Sequence, residues 1–141
     1  MNPSISMKLK GLIKSLNIEE KTELLAADRL VSLIEAEDFL QNQKNVNAYL
    51  EEILNLYNLQ EFSHIILGCT HFPVVKENIE QILNKKGLNV KVIDGNAGIG
   101  RNLLHKIKEK GDFDKELNLH IINTEASSVF EKRAKEIINA D

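Results

Sequence analysis

Apolar residues first recur at helical spacing between Met7 and a stop near Asn17, where Leu9, Leu12, Ile13 and Leu16 share one side. A short apolar run follows in "TELLAA", Thr22 to Ala27, and predicts a strand. Leu30 to Ala36 predicts a short helix with Asp28 as its N-cap. Val46, Leu50, Ile53, Leu54 and Tyr57 line one side of a longer helix. The adjacent isoleucines of "SHIILG" then predict a strand buried on both faces. Pro73 suits the first turn of a following helix, whose inner face carries Val75, Ile79, Ile82 and Leu83. Gly87, just after "NKK", marks the end of that helix.

Further on, "NVKVID" predicts a strand, "GNAGIG" a strand-to-helix loop, and Ile99 to Ile107 another helix. Leu117, Leu119 and Ile121 alternate with polar residues, as in a half-exposed strand near a sheet edge. A last helix buries Val129, Phe130, Ala134, Ile137 and Ile138. Alternating strands and helices with short connections predict an α/β fold with a largely parallel sheet and flanking helices. There is no internal repeat, low-complexity segment or linker. Four strands are few for a self-sufficient doubly wound sheet, and the chain opens on a helix, so the sheet is expected to be incomplete.

Composition narrows the class without naming an activity. A chain of 141 residues is long enough for one domain with a hydrophobic core. Its 43% hydrophobic and 28% charged residues give a globular balance. The net charge of −3 gives no reason to expect nucleic acid or an anionic membrane as partner. No apolar run approaches membrane-spanning length, and "MNPSISMKLKGLIKSL" lacks the continuous apolar stretch of a secretory signal. One cysteine cannot form an internal disulfide, which fits a cytosolic setting.

The candidate chemistry sits in "HIILGCTHFPVV". In open α/β sheets ligands bind beyond the carboxyl ends of strands, and Gly68, Cys69, Thr70 and His71 fall at such an end. Gly68 would let the backbone turn sharply and approach a ligand closely. The following helix N-terminus suits a substrate carboxylate and favours a thiolate. His71 could hydrogen-bond the thiol, take up its proton or contact the substrate. An isolated cysteine is usually core filling. Core packing, however, does not ask for Thr and His beside the thiol, and that tips the balance toward a site.

These residues carry a resemblance. "LGCTHFP" resembles the second cysteine motif of the glutamate racemases, in the cofactor-independent aspartate/glutamate racemase superfamily. The His after "GCT" is similar to the glutamate branch in particular. "LLAADRLVSLIEAED" resembles the family's segment of strand plus short helix rich in "LVPLIE"-like residues. "VIDGNAGIG" resembles its later "IDSA"-like loop, and "LHIINTEASSVFEKRAKEII" its closing strand and helix. The resemblance therefore runs along nearly the whole chain, in order.

The resemblance implies interconversion of L- and D-glutamate for peptidoglycan, without cofactor or metal, by two cysteines on opposite sides of the substrate. Cys69 would be the second of these, acting on the L-enantiomer, with His71 assisting it; Thr70 and His71 would contact the glutamate. Family chains are about twice as long, and their first half carries the other cysteine and an early substrate loop. The implied placement is the C-terminal portion of a two-lobed fold. About 1–72 would end the second lobe and about 73–141 would return to the first. Alone, the chain is then expected to be inactive or very weak, completed by a second copy or by the absent N-terminal half. The competing readings are a non-catalytic binding module that keeps the "GCTH" loop as an anion pocket, and another racemase of the superfamily.

The remaining polar residues read as structural. His64 is expected at a strand edge, His105 on a solvated helix face, and His120 outward on the last strand. No Cys/His or carboxylate spacing suggests a metal site. "GNAGIG" has the wrong glycine spacing for dinucleotide binding and reads as helix-starting. Asp94, ending "VKVID", would orient a catalytic group or cap the next helix, with capping preferred.

Overall fold

The computed structural model describes residues 3–36, 38–110 and 132. Helix α1 spans Pro3–Ser15, α2 Asp28–Glu35 and α3 Gln43–Leu54; strand β1 (His64–Ile66) leads to α4 (Lys76–Lys85), β2 (Lys91–Ile93) and α5 (Asn96–Lys110). Short 3₁₀ turns lie at Glu19–Lys21, Leu59–Glu61 and Phe72–Val75. The expected α/β class is what is observed. The strand Leu117–Ile121, the last helix and His120 lie outside the described residues.

β1 and β2 pair in parallel, with His64 opposite Lys91, Ile65 opposite Val92 and Ile66 opposite Ile93. A parallel pair needs a crossover, and α4 supplies it. Backbone hydrogen bonds thus join the strands on either side of residue 72.

The core is built from one face of each helix. Leu30 and Ile34 of α2, Val46, Leu50, Ile53 and Leu54 of α3, and Ile79, Ile82 and Leu83 of α4 are buried together. Helix α2 packs on α3, α3 on α4, and α4 on β2. Ile65 and Val92 pack against this helical layer. The expectation that "SHIILG" is buried on both faces is not met. Ile66 is 71% exposed and Ile93 42%, because the helices among the described residues cover only one face of the sheet.

Local chemistry explains where the helices stop. Asn17 (φ 53°) and Gly87 (φ 66°) both adopt the left-handed conformation just past a helix end. After α4, Leu88 N–H donates to the Leu83 carbonyl and Gly87 N–H to that of Asn84. Ile18 and Asn17 repeat the pattern after α1, on the carbonyls of Ile13 and Lys14. In both cases a reversed residue satisfies carbonyls that the helix leaves open.

Three expectations need correction. "TELLAA" forms no strand, because no described strand runs beside it to complete a ladder. Asp28 lies within α2, whose N-cap position is Ala27. "GNAGIG" belongs largely to a helix, since α5 begins at Asn96. Asp94 accounts for the last of these: its Oδ1 accepts the Asn96 N–H at 2.9 Å and organises the helix start.

Candidate active site at the carboxyl end of the first strand

Strand β1 ends at Ile66, and Leu67 N–H still donates to the Ile93 carbonyl at 2.8 Å. The chain then leaves the sheet at Gly68. No left-handed backbone is needed there, contrary to the sharp turn expected. A Cβ at Gly68 would meet only Leu9 Cδ1 of α1, at an ordinary 3.7 Å.

Cys69, Thr70 and His71 follow in a tight series of turns. Phe72 N–H donates to the Cys69 carbonyl (3.3 Å) and Val74 N–H to that of His71 (3.2 Å). Pro73 occupies the first turn, where its missing N–H costs nothing, and Val75 is fully buried. This winding brings two side chains two residues apart to the same place. Cys69 Sγ lies 3.5 Å from His71 Nδ1, and the thiol is half-buried.

The other ring nitrogen completes the series. His71 Nε2 lies 2.8 Å from Glu35 Oε1, at the C-terminal end of α2. A carboxylate oxygen can only accept, so Nε2 carries a proton. In the tautomer with its single proton on Nε2, the ring turns the lone pair of Nδ1 toward the thiol. Transfer of the thiol proton to Nδ1 would make an imidazolium flanked by thiolate and carboxylate. Cys69, His71 and Glu35 thus have the connectivity of a nucleophile or base, its proton acceptor and an orienting carboxylate.

Glu35 is the residue that sequence reasoning missed. It lies 36 positions from His71, and nothing local couples them. One signal was available: a carboxylate at the C-terminal end of a helix sits against the negative end of the dipole, so its placement there calls for a partner. Thr70 is exposed and takes no part in the contacts that join Cys69, His71 and Glu35. His64 and His105 lie apart on exposed surface, beside Ser63 and Glu109 respectively.

The neighbouring strand end carries a second polar pair. Asp94 Oδ2 accepts from Lys76 Nζ at 2.9 Å, and the Asp94 side chain is only 9% exposed. The Lys76 ammonium and the Asn96 N–H hold the Asp94 carboxyl below its ordinary range, and Asp94 in turn raises Lys76. An open groove of about 430 Å³ runs between α4 and β2, lined by Leu83, Val90 and Val92 among others; Cys69 does not line it. No helix among the described residues is long and apolar enough to cross a membrane.

The chain is similar to several curated glutamate racemases. It is 43% identical over 100 residues to the one from Campylobacter concisus (strain 13826), covering 71% of this chain and 36% of that protein. It is 36% identical over 120 residues to the one from Clostridium perfringens (strain ATCC 13124), covering 83% and 44%. It is 29% identical over 108 residues to "Glutamate racemase 2" of Bacillus subtilis (strain 168), covering 77% and 39%. The chain therefore spans less than half the length of these relatives. No family model matches it, and no solved structure does. Identity at this level across most of the chain, together with the "GCTH" turn, makes it similar by sequence to part of the glutamate racemases, consistent with a C-terminal portion of one.

Proposed function

We propose that this chain supplies one side of a cofactor-independent glutamate racemase site, with Cys69 as the acid/base that serves L-glutamate. The observation that carries this reading is the series Cys69–His71–Glu35, at 3.5 and 2.8 Å. Racemisation removes a weakly acidic α-proton from one face and returns a proton to the other. The Cys69 thiolate takes the α-proton of L-glutamate and becomes a thiol, leaving a carbanionic α-carbon. A second acid on the opposite face donates the replacement proton. His71, oriented by Glu35, holds or relays the proton that Cys69 must lose before each turnover. Thr70 and His71 contact the substrate.

These 141 residues contain one cysteine, so on this reading the opposing group lies outside them, in the N-terminal half of a racemase, which would build the other face of the pocket and the first lobe. On this reading about 1–72 end the second lobe and about 73–141 return to the first. The product, D-glutamate, would serve peptidoglycan synthesis in the cytoplasm.

Circular dichroism of glutamate tests the reading. The purified chain alone is expected to leave both enantiomers unchanged. Mixed with the N-terminal half of a racemase, it should interconvert them, and Cys69→Ser should abolish that activity. Turnover by the chain alone, lost in Cys69→Ser, would refute the half-site reading.

A further inference from the structure

We propose that Asp94 and Lys76 act as a clasp that positions the Cys69 loop and keeps the thiol within reach of His71. The inference rests on the half-site reading above and adds two positioning residues to it.

The geometry is that of a loop fastened at both ends to adjacent residues. Residues 68–75 leave the sheet after Leu67, whose N–H is bonded to the Ile93 carbonyl, and rejoin the helical layer at Lys76, whose Nζ is bonded to Asp94 Oδ2. Ile93 and Asp94 are consecutive, at the carboxyl end of β2. The Cys69 loop is thus closed across a single peptide unit of the neighbouring strand. Within the loop, Phe72 and Val74 bond back to Cys69 and His71, so the turns transmit a shift at Lys76 toward the thiol.

The Asp94 carboxylate is itself fixed. Its other oxygen accepts the Asn96 N–H, and its side chain is 91% covered, so it cannot follow a wandering lysine. Lys76 is the first residue of α4, a position where the helix dipole disfavours a cation. Asp94 offsets that penalty, and Glu80, one turn on, also favours the ammonium. Without Asp94 the lysine has reason to leave, and that end of the loop would be held by the packing of Phe72, Val74 and Val75 and the Lys76 N–H bond to the Pro73 carbonyl.

The test is a double-mutant cycle on the full chain, read by the rate at which iodoacetamide alkylates its only thiol at neutral pH. His71→Asn should slow alkylation in the wild-type background. In Asp94→Asn, and separately in Lys76→Met, the cost of His71→Asn should shrink by about threefold or more, the scale of coupling between groups in one network. Lys76→Arg, which keeps the ion pair, should restore it. Lys76→Met leaves the bond from Asn96 to Asp94 intact, so it serves if Asp94→Asn does not fold. An equal His71→Asn cost in all backgrounds would overturn the clasp and leave the half-site reading standing. No effect of His71→Asn even in the wild type would overturn both.

Discussion

At the scale of single residues, Glu35 joins the end of α2 to the Cys69 turn through His71. Its side chain is 61% exposed and bonded to His71 rather than packed in the core. Glu35→Ala is therefore expected to change folding stability by no more than about 0.5 kcal/mol, as exposed substitutions usually do. The same variant should slow Cys69 alkylation, which freezes the comparison at one thiol. Unfolding by urea checks the first expectation and alkylation the second; a large loss of stability would mean that Glu35 is part of the core scaffold. The Asp94–Lys76 pair carries a pH signature. The folded Asp94 carboxyl lies below its ordinary 3.8, so its contribution is complete above the ordinary carboxylate range and is lost as pH falls through the folded value. Lys76, raised above 10.5, contributes fully below that value and loses its contribution as pH rises through the folded one. Urea midpoints of wild type and Asp94→Asn should thus differ steadily around neutral pH and converge in acid. A constant difference down to about pH 2 would contradict this, because both carboxyl states would then be equally bound.

At the scale of elements, α5 offers the simplest stability test. Gly100 lies inside the helix with nothing within 4 Å of an added Cβ, so Gly100→Ala should stabilise the chain by about 0.5–1 kcal/mol. Gly87→Ala should destabilise it by about 1 kcal/mol, because its left-handed backbone closes α4. Thermal melts of the two variants should move in opposite directions. These elements also show what the sequence could reveal. The buried faces of α3 and α4 were legible because helical spacing alone selects Val46, Leu50, Ile53, Ile79, Ile82 and Leu83. Gly87 was legible for the same local reason. "TELLAA" was misread because a strand exists only beside a partner, and pairing is not a property of six residues. The start of α5 was hidden by its glycines, whose poor helix propensity is offset by Asp94 organising the first turn. Cys69 and His71 were legible as neighbours, whereas Glu35 and Lys76–Asp94 depend on contacts 36 and 18 positions apart.

At the scale of the molecule, the described residues form a helical layer on one face of a two-stranded parallel sheet. Ile66 and Ile93 stand exposed on the opposite face, and Leu12 of α1, Leu16 just past it, and Leu103 and Leu104 of α5 are more than half exposed. Among the described residues these positions stay uncovered, and the chain spans 36% and 44% of the relatives from Campylobacter concisus and Clostridium perfringens. The Cys69 turn, α2 and the end of β2 belong to one packed unit. The central claim is that Cys69 is one of two proton-transfer groups, and solvent deuterium reports on it most directly. In D₂O, the chain mixed with a racemase N-terminal half is expected to incorporate deuterium at the α-carbon of L-glutamate, and the Cys69→Ser chain in the same mixture is expected to lose that exchange. A folded, associated pair that exchanges no deuterium, or one that exchanges equally well without the Cys69 thiol, would contradict the account.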